Sequence, residues 1–172
     1  MRKLFSILLA GTLVLLAAQP ARAEGALILT DVQIFGIQEN CLRSKAALEQ
    51  LHAADTLLRI NLGQRYENIS LRLMAPLNAR IVGNNMDGVE LTKLTVQYNQ
   101  AIKQFSSDYS GYDAAISQAL KADCVKDPIV YYQKIEQARS DRQKVHGSAD
   151  AANKLLGQYK IAFEKFASGV KE

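Results

Sequence analysis

The stretch IVGNNMDGVE, residues 81 to 90, separates two long apolar stripes and so decides how the chain folds. Its glycines and asparagines supply helix-terminator and turn chemistry. Upstream, Leu48, Leu51, Leu58, Leu62, Tyr66, Ile69, Leu73, Leu77 and Ile81 recur mostly at intervals of three, four or seven. That spacing puts them on one face of a helix from about residue 41 to 83. Downstream, Asp87 is placed to cap the next helix, with Glu90 three residues on as in a capping-box variant. Leu91, Leu94, Tyr98, Ile102, Phe105, Tyr109, Tyr112, Ile116 and Leu120 then form a second stripe, over about 88 to 122.

The stretch KADCVKDP, residues 121 to 128, ends that stripe. Asp127 and Pro128 open a third helix with an acidic cap and a proline at the first helical position. Its apolar face runs through Tyr131, Ile135, Ala138, Val145, Ala152, Leu155, Tyr159, Phe163, Phe166 and Val170, over about 128 to 169. Gly147 and Ser148 leave two versions of this helix open, one whole and one split. In the first helix Pro76 predicts a bend, with a break as the alternative. Residues 24 to 40 (EGALILTDVQIFGIQEN) read as an irregular or partly helical lead-in, because Gly25 and Gly36 weaken any regular pattern.

Each long helix carries one apolar stripe and must bury it, and short connections make neighbours antiparallel. The expected fold is all-α. It is an elongated antiparallel three-helix bundle over residues 41 to 172, or a coiled-coil-like hairpin plus a third, whole or split helix. Composition agrees: the chain has no Trp, three Pro and many Ala, Leu, Gln and Lys.

Residues 1 to 23 read as a signal peptide. Arg2 and Lys3 precede an apolar run from Leu4 to Ala18, and Ala21-Arg22-Ala23 makes a small-x-small cleavage site. The run is short of the roughly 20 residues that span a bilayer. Cleavage after Ala23 removes three of 21 basic residues and none of the 17 acidic ones, leaving a mature chain near +1. The basicity therefore belongs mostly to the leader, and nucleic acid loses its electrostatic support as a partner. No transmembrane span is expected in the mature chain, and the protein is expected to be exported: periplasmic, extracellular or envelope-associated.

The two cysteines are the residues with the clearest chemistry. Folded about residue 86, Cys41 lies 45 residues before the turn and Cys124 lies 38 after it, so both fall at one end of the hairpin. An intramolecular disulfide is the leading reading, with free thiols and intermolecular pairing as alternatives. A catalytic thiol needs a nearby base, and His52 lies eleven residues along the helix from Cys41, about 16 Å by rise. His146 is as remote, so a zinc site fails on the same spacing. Asp108 with Asp113, and Asp123 with Asp127, read as solvated charges or caps rather than a glycosidase pair. The mixed charges Lys134, Arg139, Asp141, Arg142, Lys144, Asp150 and Lys154 read as a solvated face. Tyr109, Tyr112, Tyr131 and Tyr132 cluster around the second connection; they fit stripe positions, and the functional alternative is an aromatic interaction surface.

QRYENISLRL (64 to 73), LNARIVGNNMDGVELTKL (77 to 94), IKQFSSDYSGYDAAI (102 to 116) and the Asp-Cys of 123 to 124 resemble a recurring type. They are similar to small, secreted, uncharacterised helical proteins of candidate-phyla-radiation bacteria such as the Saccharibacteria. The resemblance covers about residues 40 to 145. It implies an early and a late cysteine, at Cys41 and Cys124, and carries no catalytic or ligand-binding residue. GNNMDG and Pro76 depart from the pattern.

The functional expectation is an exported, non-enzymatic helical protein: an envelope-associated scaffold or interaction module. No cofactor or metal is expected, the partner is a protein or envelope component, and the oligomeric state is left open. The rival expectation is a holdase-type chaperone of exported proteins, which requires oligomerisation and an exposed apolar face.

Overall fold

In the computed structural model, which describes residues 29 to 170, helix follows helix with no strand among the described residues. The elements are α1 (Asp31–Glu39), α2 (Cys41–Ile69), a π-helical turn (Ser70–Met74), α3 (Ala75–Gly83), α4 (Val89–Lys121) and α5 (Pro128–Gly169). The signal peptide reading lies outside the described residues.

The all-α bundle stands. α2, the π turn and α3 make one continuous rod, α4 returns antiparallel to it, and α5 runs back again. The register shows in the side chains. Ser44 meets Tyr131, Asp55 meets Arg142 and Tyr66 meets Asn153, each pair 87 residues apart. A constant offset means that α2 and α5 run parallel and in step. Toward α4 the order reverses, with His52, Thr56 and Ser70 bonded to Asp113, Tyr109 and Asn99. The most extensive contact is that of α4 with α5. Ala115, Ala119, Ala138 and Ala152 are buried on these two helices, and small side chains let backbones approach.

Pro76 does not break the rod: helix continues through it, with a π-helical turn just before it. Its ring cannot donate to, and crowds, the carbonyl four residues back, and the turn just before it widens. There the Ala75 N–H bonds to the Ser70 carbonyl, five residues back. The extra residue wound into this turn rotates the face beyond it. Met74 is therefore buried at 1 % exposure, whereas Leu73, expected in the stripe, is 64 % exposed. The main core gathers here, from Tyr66, Met74, Ile81, Leu91, Leu94, Tyr98, Phe105, Ala152 and Tyr159. The Tyr66 ring stands edge-on to Tyr98 and Phe105, at centroid distances of 6.4 and 5.5 Å. Such pairs add about 0.5–1.5 kcal/mol each beyond the area they bury.

The turn at residues 83 to 88 closes with local bonds. Asn85 takes the left-handed conformation at φ 55°, where the glycines of the stretch do not. Its N–H bonds to the Val82 carbonyl, and the Met86 N–H reaches back to the Ile81 carbonyl. This is the Schellman arrangement, which satisfies the last carbonyls of the rod. Asp87 Oδ1 accepts the Val89 N–H at 3.2 Å. Gly88, not Asp87, is the N-cap residue of α4, and no side chain caps it.

Two further expectations resolve. α5 is unbroken through Gly147. Glycine there costs helix propensity but creates no clash, and the Ser148 hydroxyl bonds back to the Lys144 and Val145 carbonyls. The lead-in contains α1, which begins in a capping box: Thr30 accepts the Gln33 N–H, and the Gln33 side chain accepts the Thr30 N–H. α1 packs against α5 and buries no residue of its own.

Candidate functional site

Cys41, the first residue of α2, is joined to Cys124 in the connection between α4 and α5. Their Cα atoms are 5.6 Å apart, a normal disulfide separation. The intramolecular pairing thus holds over free or intermolecular thiols. Closing a loop of 83 residues removes about 4 to 5 kcal/mol of unfolded-state entropy in the simple chain model. The loop itself is shaped by Asp123, whose Oδ1 accepts the Val125 and Lys126 N–H groups at 3.0 Å. Those two bonds, that of Lys126 first, hold the Asp123 carboxyl below its ordinary range. Asp127 makes no side-chain cap bond.

Below the disulfide, α2 meets its neighbours through a seam of alternating threes and fours: Lys45, Leu48, His52, Asp55, Arg59, Leu62 and Tyr66. Most of its middle is polar. The expected stripe differs from this seam by less than a third of a turn, and Leu51 and Leu58 stand at its edge, 37 and 51 % exposed. From Cys41 to Tyr66 no apolar side chain of α2 between those two is fully buried.

Paired polar groups fill the space. His52 Nε2 lies 2.7 Å from Asp113 Oδ1. The Tyr109 hydroxyl donates to Thr56 at 3.0 Å, and Arg59 lies 5.3 Å from the Tyr109 ring centroid. Asp55 accepts two bonds from Arg142, at 2.7 and 3.0 Å, and one from the Tyr112 hydroxyl at 2.7 Å. Burial pulls the Asp55 carboxyl up, but the Arg142 and Tyr112 bonds and the guanidinium charge outweigh it and hold it below its ordinary value. Burial, and then the bond to Asp55, push Tyr112 well above the usual phenol range. Neither histidine approaches the cysteines in a catalytic sense: His52 is engaged with Asp113. The cavity beside Asp55, Arg59, Tyr109 and Arg142 holds about 50 Å³, room for a water or two and not for a substrate.

The four tyrosines do not make one exposed aromatic surface. Tyr109, Tyr112 and Tyr131 are buried, and each points its hydroxyl at α2, Tyr131 to Ser44 at 2.6 Å. Tyr109 and Tyr112 belong to one apolar cluster and Tyr131 to another, beside the disulfide. The broad rings fill a seam whose α2 side is polar, so the hydroxyls are satisfied from within. Tyr132 alone is half-exposed. Arg142 leaves the solvated face assigned to it and enters the seam; Lys144 and Asp141 pair with one another.

Tyr132 lines a groove of about 550 Å³ where α1, α2 and α5 diverge. Its walls are mainly Ile37, Leu48, Leu51, Tyr132 and Ile135, with Arg139 at the rim. The size suits a few apolar side chains or a small ligand. A second groove, of about 720 Å³, lies at the far end between the 86–91 turn and the last turns of α5, and neither the cysteines nor the four tyrosines line it. The first groove is the candidate site. Its α1 wall is the helical part of the 24–40 lead-in, whose start Thr30-x-x-Gln33 marks as a legible capping box. The pairing of Asp55 with Arg142 was missed: the three–four spacing through positions 48, 52, 55, 59 and 62 allows Asp55 on the inner face, but nothing local marks its partner.

Among the described residues no group of three metal-ligating side chains comes together, and no helix is long and apolar enough to cross a membrane. No protein-family model, curated protein or solved structure matches this chain.

Proposed function

We propose that this protein is an exported, non-enzymatic helical module that receives an apolar segment of a partner protein or envelope component in the α1/α2/α5 groove. The observation carrying this reading is the groove itself: Ile37, Leu48, Leu51 and Ile135 face one open channel beside a disulfide. Apolar side chains left open between helices gain by covering, and a partner segment supplies the cover. The disulfide supports export, since such bonds persist in oxidising compartments. The signal-like leader and the resemblance to secreted helical proteins point the same way. The polar pairs His52–Asp113 and Asp55–Arg142 join helices, which leaves binding rather than chemistry as the work of the surface.

The test is site-specific photo-crosslinking from position 51 in the oxidised protein, against purified envelope fractions. A discrete adduct, competed by unlabelled protein and lost on Ile135→Asp, supports the groove. Labelling that is unaffected by Ile135→Asp removes it.

One observation favours the holdase alternative. Leu42, Leu57 and Leu71 are exposed on the outer side of the α2 rod, away from the bundle. A holdase predicts self-association, dye binding and suppressed aggregation of a reduced client protein. A monomer that does none of these is no holdase.

A further inference from the structure

The rod has two unequal halves. From Tyr66 onward it contributes Tyr66, Met74 and Ile81 to the core, each about 1 % exposed. From Asp31 to Arg65 the only buried residue is Cys41. What else holds this first part is partly buried: Ile37, Leu48 and Leu62 pack at the edges of the core clusters, and polar bonds run from Gln38 to the Val125 carbonyl, Ser44 to Tyr131, His52 to Asp113, Thr56 to Tyr109, and Asp55 to Arg142 and Tyr112. Apart from the Asp55–Arg142–Tyr112 cluster, these polar contacts are single, partly exposed bonds that exchange for water at little net cost. The covalent bond at Cys41 therefore carries more of this segment's attachment than any other single contact.

We propose that the Cys41–Cys124 bond is a redox latch on the groove: while oxidised it holds α1 and the first half of α2 against α5, and once reduced it lets that segment open while the rest of the bundle stays folded. The proposal rests on the groove as the functional site and assigns its regulation. The reductant is a dithiol. Its thiolate attacks Cys41 Sγ, in the less buried of the two residues, 8 % exposed against 0 % for Cys124. The protein S–S bond breaks, and Cys124 leaves as a thiolate and takes up a proton. The second thiol of the reductant then displaces Cys41, so that two electrons pass from the dithiol to the cystine. The reductant ends as a cyclic disulfide and the protein as two thiols.

Opening is local because the segments differ in buried apolar contact, the property that sets the free energy of sub-global unfolding. α4 and α5 keep their alanine-lined contact, and α3 keeps Ile81 in the core. On reduction, the 31–60 segment swings away from Tyr131, Tyr132 and Ile135 and exposes the α5 wall of the groove.

Hydrogen–deuterium exchange on the full chain tests this, comparing the oxidised protein with protein treated with dithiothreitol and with the Cys41→Ser/Cys124→Ser variant. Amides in residues 31 to 60 are expected to exchange at least about tenfold faster after reduction, with those in 91 to 119 and 138 to 159 changing less than about threefold. Reoxidation restores protection. Faster exchange spread evenly over all helices means the bond holds the whole fold, and unchanged exchange means it holds nothing in particular; each result overturns the latch. The readout needs no partner. A groove that captures nothing leaves the latch intact, and a groove that binds equally with unchanged exchange removes the latch alone.

Discussion

Arg142 on α5 holds Asp55 on α2 through Nε at 2.7 Å and a terminal guanidinium nitrogen at 3.0 Å, while Tyr112 on α4 donates to the same carboxylate. One acid ties three helices at a level where α2 buries no apolar side chain. The seam is held chiefly by directional bonds there, with partly buried Leu48 above it and the main apolar core below.

Asp55→Ala strands the guanidinium and the Tyr112 hydroxyl. The expected loss is about 2 kcal/mol in urea unfolding, below the 3–5 of a fully buried broken pair because the Arg142 side chain is 37 % exposed. Replacing both charges, as Asp55→Leu with Arg142→Leu, removes the stranded group and should recover most of that loss. A double variant as weak as the single one would refute the desolvation argument.

Acid should loosen the same seam. The folded Asp55 carboxyl titrates below its ordinary value, so the unfolded chain binds its proton first as pH falls. Its contribution is complete well above the ordinary value of roughly 3.9 and is lost as pH falls below it, through the depressed folded value. Thermal melts from pH 6 to pH 2.5 should show a steeper fall for the native chain than for the Leu/Leu double variant. Parallel curves would show that Asp55 does not set the slope.

The π turn makes opposite predictions for adjacent residues. Met74→Ala removes a buried side chain from the main core and should cost about 2–4 kcal/mol. Leu73→Gln changes an exposed position and should stay within about 0.5 kcal/mol. An uninterrupted α-helical rod would put Leu73 inside and reverse the order.

Two glycines should respond with opposite signs to alanine. At Gly88 a Cβ would collide with Ile81 Cγ2, on a stiff β-branched side chain, and a loss of about 1–3 kcal/mol is expected. At Gly147 nothing lies within 4 Å of an added Cβ, and alanine should stabilise α5 by about 0.5–1 kcal/mol. Denaturation midpoints of the two variants check both.

The three long helices are legible because an apolar residue at every third or fourth position is a local property. The face of α2 is less so. Choosing the most hydrophobic residues puts Leu51 and Leu58 inside, yet the seam runs through His52, Asp55 and Arg59. Polar residues can stand there because Asp113, Tyr112 and Arg142 arrive from between 57 and 87 residues away, and no local pattern announces such partners. Tyr109, Tyr112 and Tyr131 lie in the seam as their spacing indicates, and only the alternative of an exposed aromatic surface turned on distant partners. Their stripe spacing was visible, but whether the hydroxyls faced solvent depended on what α2 placed opposite them. α1 is the helical part of the 24–40 lead-in, and its start is local information: Thr30 and Gln33 form a capping box.

The all-helical character, the reversal at residues 83 to 88 and the approach of Cys41 to Cys124 were determined by the sequence alone. Periodicity, turn chemistry and the length of two antiparallel arms are enough for these, since each depends on neighbours in the chain or on counting along it. Tertiary structure decided which residue after Ser70 enters the core, which face of α2 turns inward, and where a groove opens between α1, α2 and α5. Those outcomes depend on burial shared among three helices: the core selects Met74 over Leu73, and desolvated charges occupy the seam only where a partner helix satisfies them.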